Sequence, residues 1–425
     1  MAILVGTLLL LMLMGAPLFA VIVTAAMLGF HTANVDLTVI AVELYRLVDT
    51  PMLLTLPLFT FTGYMMSESK TSERLLRLTE IFFGWLPSGL AVVAICACAA
   101  FTALTGASGI TIVALGALLL PSLLKSKYPE NYSLGLVTTS GSLGLLLPPS
   151  IPLILYGIVV QQMDIGQQFS LEQLFMAGLL PGLLMIFMLA CWTMWSQRHI
   201  GLVSTPFSFP AAKTAIFDAA WEIPLPFFIF AGIFSGFLAV SEVAAVSALY
   251  VLIIETFVYR EIELKALPRI IADAMQMVGG ILLILGVSMA FTNFLIDAEI
   301  PARLLEWIKS SVNGKLSFLF FLNIFLLLLG AILDIFSALI IVVPLIVPIA
   351  IGYGIHPIHL GIIFLANMQI GYFTPPVGMN LFIASYRFNR SVTELYHAAI
   401  PFMLILLIAL VFITYVPSLS LWFIQ

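Results

Sequence analysis

The sequence predicts an all-α, polytopic membrane protein built from two repeated halves, and three observations lead there. Its 425 residues include only 16 Lys or Arg and 21 Asp or Glu, 62% are hydrophobic, and the mean hydropathy is +1.18. A soluble domain is about half apolar and about a quarter charged, so lipid is the expected solvent. The uncharged stretches are also long, and a helical span takes about 20 residues. Finally, the 23 prolines are adjacent at only two places, Pro148-Pro149 and Pro375-Pro376, each in the middle of an uncharged run. This composition excludes a disordered chain and a disulfide scaffold. A net charge of −5 with scattered cations excludes a nucleic-acid partner. Cys96, Cys98 and Cys191 lie in apolar runs without metal-site spacing and read as small apolar residues.

From the N-terminus, Met1 to Val35 is uncharged and lacks a basic leader, so it reads as a retained membrane segment. Residues 1–66 are expected to form scaffold helices. Ser72 to Phe83 sets Leu75, Leu76 and Leu78 beside Arg and Glu, the pattern of a helix lying in the interface. Such a helix serves as a lipid anchor or as an arm joining a fixed part to a moving part. Leu86 to Leu124 is too long for one crossing; two passes meeting near Thr105-Gly106-Ala107-Ser108 and one interrupted helix both fit.

Asn131 to Met163 carries the first proline doublet. Two consecutive prolines remove two backbone donors and push the preceding residue out of helix. The roughly fifteen apolar residues on either side rise only about 22 Å. The expected element is therefore a re-entrant helical hairpin with its tip near 141–150, inside a first repeat over 67–165. Residues 166–296 supply central spans, mainly scaffold. A second repeat over 297–390 has an arm at Ala302 to Ser311, with Leu304, Leu305 and Ile308, and a hairpin tip near 371–378; residues 391–425 give a last span.

The two halves correspond in order. A shift of 227 residues superposes Pro148-Pro149 on Pro375-Pro376, Gly144 on Gly371 and Pro121 on Pro348, and Arg74-Leu75-Leu76 answers Arg303-Leu304-Leu305 with a drift of two. Paired halves with interrupted apolar segments point to the substrate and ion site of a secondary transporter, in which freed carbonyls hold a cation and freed N–H groups face a carboxylate.

The residues Gly141-Ser142-Leu143-Gly144-Leu145-Leu146-Leu147-Pro148-Pro149-Ser150 and Gly371-Tyr372-Phe373-Thr374-Pro375-Pro376-Val377-Gly378 resemble two tips of the large membrane subunit (M subunit) of TRAP transporters, the tripartite ATP-independent periplasmic carriers. Ser241-Glu242-Val243-Ala244-Ala245 and the Gly330 to Asp334 segment are similar to further motifs of that family, and the resemblance covers nearly the whole chain. It implies inverted repeats, an elevator-type transport domain moving against a scaffold, and Na+-driven import of small organic anions such as sialic acid or C4-dicarboxylates. It implies a location in the bacterial inner membrane, a periplasmic substrate-binding protein and a separate four-helix membrane subunit as partners. The expected arrangement is unfused.

By position, the resemblance implies one Na+ site at Thr105, Ser108, Gly144, Leu147 and Pro149, and a second at Gly330, Gly371, Thr374 and Val377. Most would act through backbone carbonyls, the oxygen ligands that hard cations prefer. Thr105-Gly106-Ala107-Ser108 stands where the family usually has Ser-Gly-Ser-Ser, so one hydroxyl is missing.

Asp334 is the only charged residue between Leu316 and Tyr386, and a carboxylate at membrane depth is a functional candidate. It is open to tuning an ion site, carrying a proton or capping a helix. Ser142, Asn367 and Asn380 are further ion or substrate candidates, with Gln369 beside them. Glu242 reads as a structural cap near Ser241, and Asp273 and Glu255 as solvated segment ends. His356 and His359 lack a third metal ligand. Arg387 and Arg390 are open to attracting an anion or snorkelling to headgroups. The alternatives are a stand-alone elevator carrier or ion antiporter without a soluble partner, and an intramembrane enzyme, for which no Ser-His pair, paired Asp or His-Glu-x-x-His occurs.

Overall fold

Backbone N–H and C=O groups in lipid must be satisfied within the protein, so uncharged runs of this length fold as helices. The computed structural model describes residues 16–48, 50–86, 88–163, 169–198, 208–312 and 314–424; the first fifteen residues of the expected N-terminal segment lie outside that range. The chain proceeds through α1 (Leu18–Thr32), α2 (Thr38–Val48), α3 (Thr55–Glu68), α4 (Thr71–Phe83), α5 (Gly89–Thr105), α6 (Ser108–Lys125), α7 (Glu130–Ser140), α8 (Ile151–Gln161) and α9 (Leu171–Ser196). It continues through α10 (Phe209–Asp218), α11 (Pro224–Phe234), α12 (Val240–Ile253, extended by a π turn to Val258) and α13 (Leu267–Asp297). The last elements are α14 (Ile300–Ser311), α15 (Lys315–Ile332), α16 (Ile335–Gly352), α17 (Pro357–Gly371), α18 (Met379–Phe388), α19 (Val392–Tyr415) and the short α20 (Ser418–Leu421). Seven described helices are long and apolar enough to cross a bilayer, or eight if α7 and α8 count as one bent span.

The order of elements recurs. In each half an amphipathic helix (α4 or α14) leads into two helices joined at a short break, then two joined at a proline doublet, then a long apolar helix. The amphipathic helices form where the leucine pattern places them.

The reversals of direction fall elsewhere than expected. Thr102 Oγ1 and Thr111 Oγ1 lie 2.7 Å apart across the break between α5 and α6. Nine residues of continuous helix would separate them by about 13 Å, so α5 and α6 form a hairpin with its tip at Gly106-Ala107. The other ends of the second pair also meet: Phe318 at the start of α15 stacks on Tyr353 just past α16, with centroids 4.4 Å apart, and Lys315 Nζ donates to Gly354 O at 3.1 Å. That hairpin turns at Leu333-Asp334.

The proline doublets break helices that run on. The axes before and after Pro148-Pro149 are bent by 40°. Glu130, where α7 begins, pairs with Arg390, just past the end of α18. Tyr156 Oη in α8 donates to Pro357 O, where α17 begins, at 2.6 Å. The α7–α8 and α17–α18 elements thus run antiparallel to each other from one end of the bundle to the other. Each half does contain a helical hairpin, but the expected tips at 141–150 and 371–378 are corrected to interruptions of crossing helices. A doublet removes donors whether the chain turns back or goes on, and packing of the two arms decides which.

The two hairpins open to opposite ends of the bundle. The halves interlock, because α8 of the first packs on α16 of the second and α18 of the second packs on α6 of the first. One continuous core joins them: Phe101, Leu143, Leu146, Tyr156, Phe364 and Phe373 are fully or almost fully buried.

Candidate functional site

The hairpin tips and both helix interruptions meet around a cavity of about 490 Å³. Gly106 to Ile110 of the first hairpin, Ile335 and Phe336 of the second, and Leu145, Tyr372 and Met379 from the two interruptions line its inner part. Tyr64, Glu68, Asp273 and Met277 of α3 and α13 form the opposite wall. The cavity extends toward the end of the bundle where Arg269 pairs with Glu68.

Local chemistry builds the first tip. Gly106 closes α5 with φ +67°, a left-handed conformation, and an added Cβ would lie 2.5 Å from Ile151 Cγ1. Thr105 Oγ1 donates to Phe101 O at 2.9 Å, and Ser108 Oγ donates to Asn380 Oδ1 at 2.8 Å. Ala107 precedes α6 and provides no side-chain cap, so the first N–H groups of α6 face the cavity without one. The second tip differs. Asp334 caps α16, its Oδ1 accepting from Phe336 N and Ser337 N at 3.0 Å each and its Oδ2 from Ser337 Oγ.

Around the first interruption, Gly144 packs so tightly on α5 that an added Cβ would lie 2.2 Å from Ala99 O. The carbonyls of Gly144 and Leu147 each accept one local N–H, from Leu147 at 3.0 Å and Ser150 at 3.1 Å. The Leu147 side chain turns toward Gly182, and Pro149 is buried. Around the second, an added Cβ on Gly371 would lie 2.6 Å from Gly330 Cα, and Gly378 N donates to Ala331 O at 3.0 Å. Thr374 Oγ1 donates to Ile370 O at 2.8 Å, while Val377 is 40% exposed.

Among the other expected residues, Asn380 reaches this region and also donates from Nδ2 to Thr138 O at 3.4 Å. Ser142 Oγ lies 3.2 Å from the carbonyl oxygens of both Thr139 and Gln369, so its single proton serves one of them at a time and the Gln369 contact ties the first interruption to α17. Asn367 belongs elsewhere: its Nδ2 donates to Asn323 Oδ1 at 2.6 Å in the contact of α15, α17 and α19. This ion or substrate candidate does not line the cavity, because its face of α17 points away from the tips. Glu242 Oε2 accepts from Ala239 N at 2.8 Å, the expected capping role, although the cap residue is Ala239. His356 Nδ1 caps α17 through Ile358 N, and His359 is held by Ser420 Oγ and Thr414 O. Glu255 was expected in solvent but is 1% exposed.

Sequence reasoning missed Tyr372, whose Oη accepts from Ile335 N at 2.9 Å and so joins the second interruption to the second hairpin tip. A tyrosine inside a doublet motif was the available signal. Tyr64 and Met277 on the far wall carried none.

Residues 5–419 match the family described as the DctM component of tripartite ATP-independent periplasmic transporters. The C4-dicarboxylate TRAP transporter large permease protein DctM of Rhodobacter capsulatus is 33% identical, over 98% of this chain and 97% of that protein. The protein of the same description in Pseudomonas aeruginosa is 33% identical over 90% and 88%. The sialic acid large permease SiaM of Vibrio cholerae is 29% identical over 96% and 94%. Among solved structures, the Alcanivorax borkumensis YdaH transporter shares the fold with a TM-score of 0.64 at 14% identity, covering 91% of this chain and 87% of that one. The chain is a multi-pass membrane protein that belongs to the DctM family of TRAP transporter large permeases.

Proposed function

We propose that this permease is the translocation subunit of a Na+-coupled importer of small organic anions, working by an elevator mechanism. The observation that carries the reading is the meeting of two oppositely opening hairpins and two interrupted crossing helices around one cavity. That is the construction expected of a secondary-transport site, with unpaired backbone groups in place of charged side chains. The uncapped N-terminus of α6 supports a carboxylate ligand. Relatives are named for C4-dicarboxylates, sialic acid, isethionate and ectoine, which favours a small polar organic solute.

Residues 70–77, 125–127, 198–213, 260–269 and 387–390 carry 12 of the 16 Lys and Arg. Among the described ones, Arg269 pairs with Glu68 and Arg390 with Glu130 at the end toward which the cavity extends. Positive residues favour the cytoplasm, so the protein sits in the inner membrane with its cavity facing inward. Substrate arrives from a periplasmic binding protein, and a small four-helix membrane subunit packs on the scaffold. Na+ is held by the oxygen-rich sets around Thr105, Ser108, Gly144, Leu147 and Pro149, and around Gly330, Gly371, Thr374 and Val377. The hydroxyls and carbonyls present suit a hard cation.

Uptake into proteoliposomes under an imposed Na+ gradient, with and without the cognate soluble protein and small subunit, tests this. Uptake is expected to need both the gradient and the soluble protein. Uptake indifferent to Na+ removes the coupling, and uptake without the soluble protein replaces this reading with a stand-alone carrier.

A further inference from the structure

Arm helix α4 is fastened to the bundle by a buried charge cluster that the transport reading does not use. Arg74 donates from Nε and Nη2 to Glu222 Oε1 at 2.8 and 2.6 Å, and from Nη1 to Glu261 Oε1 at 2.6 Å. Its Nη2 lies 3.5 Å from Glu255 Oε2, and its guanidinium sits 4.0 Å above the Tyr259 ring. The Arg74, Glu222 and Glu255 side chains are 8%, 4% and 2% exposed. One guanidinium therefore faces three carboxylates. The remaining neighbours do not balance them: Lys70 is exposed, the Tyr250 and Tyr259 hydroxyls donate to the backbone at Trp221 and Asp218, and Asp218 itself pairs with Arg77.

The hydrogen count is short as well. Thr71 Oγ1 has one proton, yet it lies 2.7 Å from Glu222 Oε1 and 3.2 Å from Glu255 Oε1. It can donate to only one of them. Glu222 Oε2 is buried without any hydrogen-bond partner among the described residues. Both the charge and the hydrogen balance improve if the cluster takes up one proton on Glu255, which then donates to Thr71 Oγ1.

We propose that Glu255, with Glu222, Thr71 and Arg74 around it, is a proton-binding site that locks arm helix α4 to α12 and to the turn before α11. Proton binding favours the folded joint. The stabilisation is lost as rising pH empties the site, with a slope of at most about tenfold in the folding constant per pH unit. Glu261 acts in a separate window. Burial alone would raise its carboxyl, but the Arg74 hydrogen bond and the Lys70 N–H outweigh burial and hold it below the usual range. Its contribution is lost only in more acid solution.

Infrared spectra of the purified protein in detergent at neutral pH are expected to contain a protonated-carboxyl band that Glu255→Gln removes and Glu261→Gln keeps. Glu255→Gln, which retains a donor for Thr71, is also expected to flatten the fall of melting temperature with rising pH. A wild-type spectrum without the band, a band surviving Glu255→Gln, or an unchanged pH profile of melting overturns the proposal. Neither measurement involves Na+ or substrate, so failure here is separate from failure of the transport reading.

Discussion

Ser108 and Asn380, 272 residues apart in the chain, are joined by a 2.8 Å hydrogen bond that links the tip of the first hairpin to the helix after the second proline doublet. Asn380 is fully buried, so its amide has few other partners. Removing one side leaves the other unsatisfied, at a cost of about 1–3 kcal/mol. Ser108→Ala and Asn380→Ala are each expected to lower thermal stability and uptake. The double variant is expected to lose less than the sum, because the residues share one bond. Strict additivity in a double-mutant cycle argues that the two halves are not coupled here.

Asp334 is engaged as a cap. Asn retains an acceptor for Phe336 N and Ser337 N but loses the carboxylate oxygen that accepts from Ser337 Oγ. Asp334→Asn is therefore expected to fold and transport with unchanged Na+ and pH dependence, whereas Asp334→Ala loses about 1–2 kcal/mol of stability, the usual range for a lost cap. A changed pH profile in Asp334→Asn makes Asp334 a proton carrier instead.

Gly144 has no room for a side chain, since an added Cβ would meet Ala99 O at 2.2 Å and Ala103 N at 2.4 Å. These are backbone atoms of a packed helix and cannot move aside cheaply. Gly144→Val is expected to abolish uptake while leaving membrane insertion intact, because the first interruption is pushed off α5. Thr374→Ala removes a bond to Ile370 O within the chain's own turn and a weak 3.6 Å contact with Met403 Sδ, so its effect on stability is expected to be small. A large loss of Na+ dependence in that variant identifies Thr374 as an ion ligand.

The helices, the amphipathic stretches, the breaks at both proline doublets and the break near Gly106 were legible in the sequence, because apolar runs and proline doublets act locally. The direction of the chain after each interruption was not. Length held a clue: Asn131 to Met163 fits one crossing with an extended middle, whereas Leu86 to Leu124 fits two short arms folded back at Gly106. The doublets drew attention to the wrong pair, since a hairpin tip needs only a glycine with positive φ, as at Gly106, or a capping aspartate, as at Asp334. The Arg74 cluster was hidden for another reason. Glu222, Glu255 and Glu261 are spread along nearly forty residues, and it is the folded chain around Arg74 that brings the three carboxylates together.

The cavity gives a prediction about sidedness. Ile383 lines it, while Glu306 on α14 is exposed near the opposite end. In a background lacking Cys96, Cys98 and Cys191, Ile383→Cys is expected to react with an impermeant thiol reagent only from the cytoplasmic face, and Glu306→Cys only from the periplasmic face. Labelling of both from one face contradicts the assigned orientation.

The two arms correspond in sequence at Arg74 and Arg303, yet their surroundings differ, and this difference is testable. Arg74 is buried against three carboxylates, which hold its guanidinium firmly charged despite the cost of burial. The Arg303 side chain is 71% exposed and pairs with Glu299 at 4.0 Å. Removing one partner of a buried ion pair typically costs about 3–5 kcal/mol because the other charge is left stranded, whereas an exposed pair contributes little. Arg74→Met is therefore expected to lower the melting temperature strongly, and Arg303→Met to leave it nearly unchanged. Arg74→Lys is expected to rescue only part of the loss, since an ammonium cannot reproduce the guanidinium fork that reaches Glu222 and Glu261 at once. Glu222→Gln added to Arg74→Met is expected to restore some stability by removing a stranded charge. Equal effects at Arg74 and Arg303 mean that both amphipathic helices are held by their leucines alone, and the charge cluster is then not what fixes α4 to the bundle.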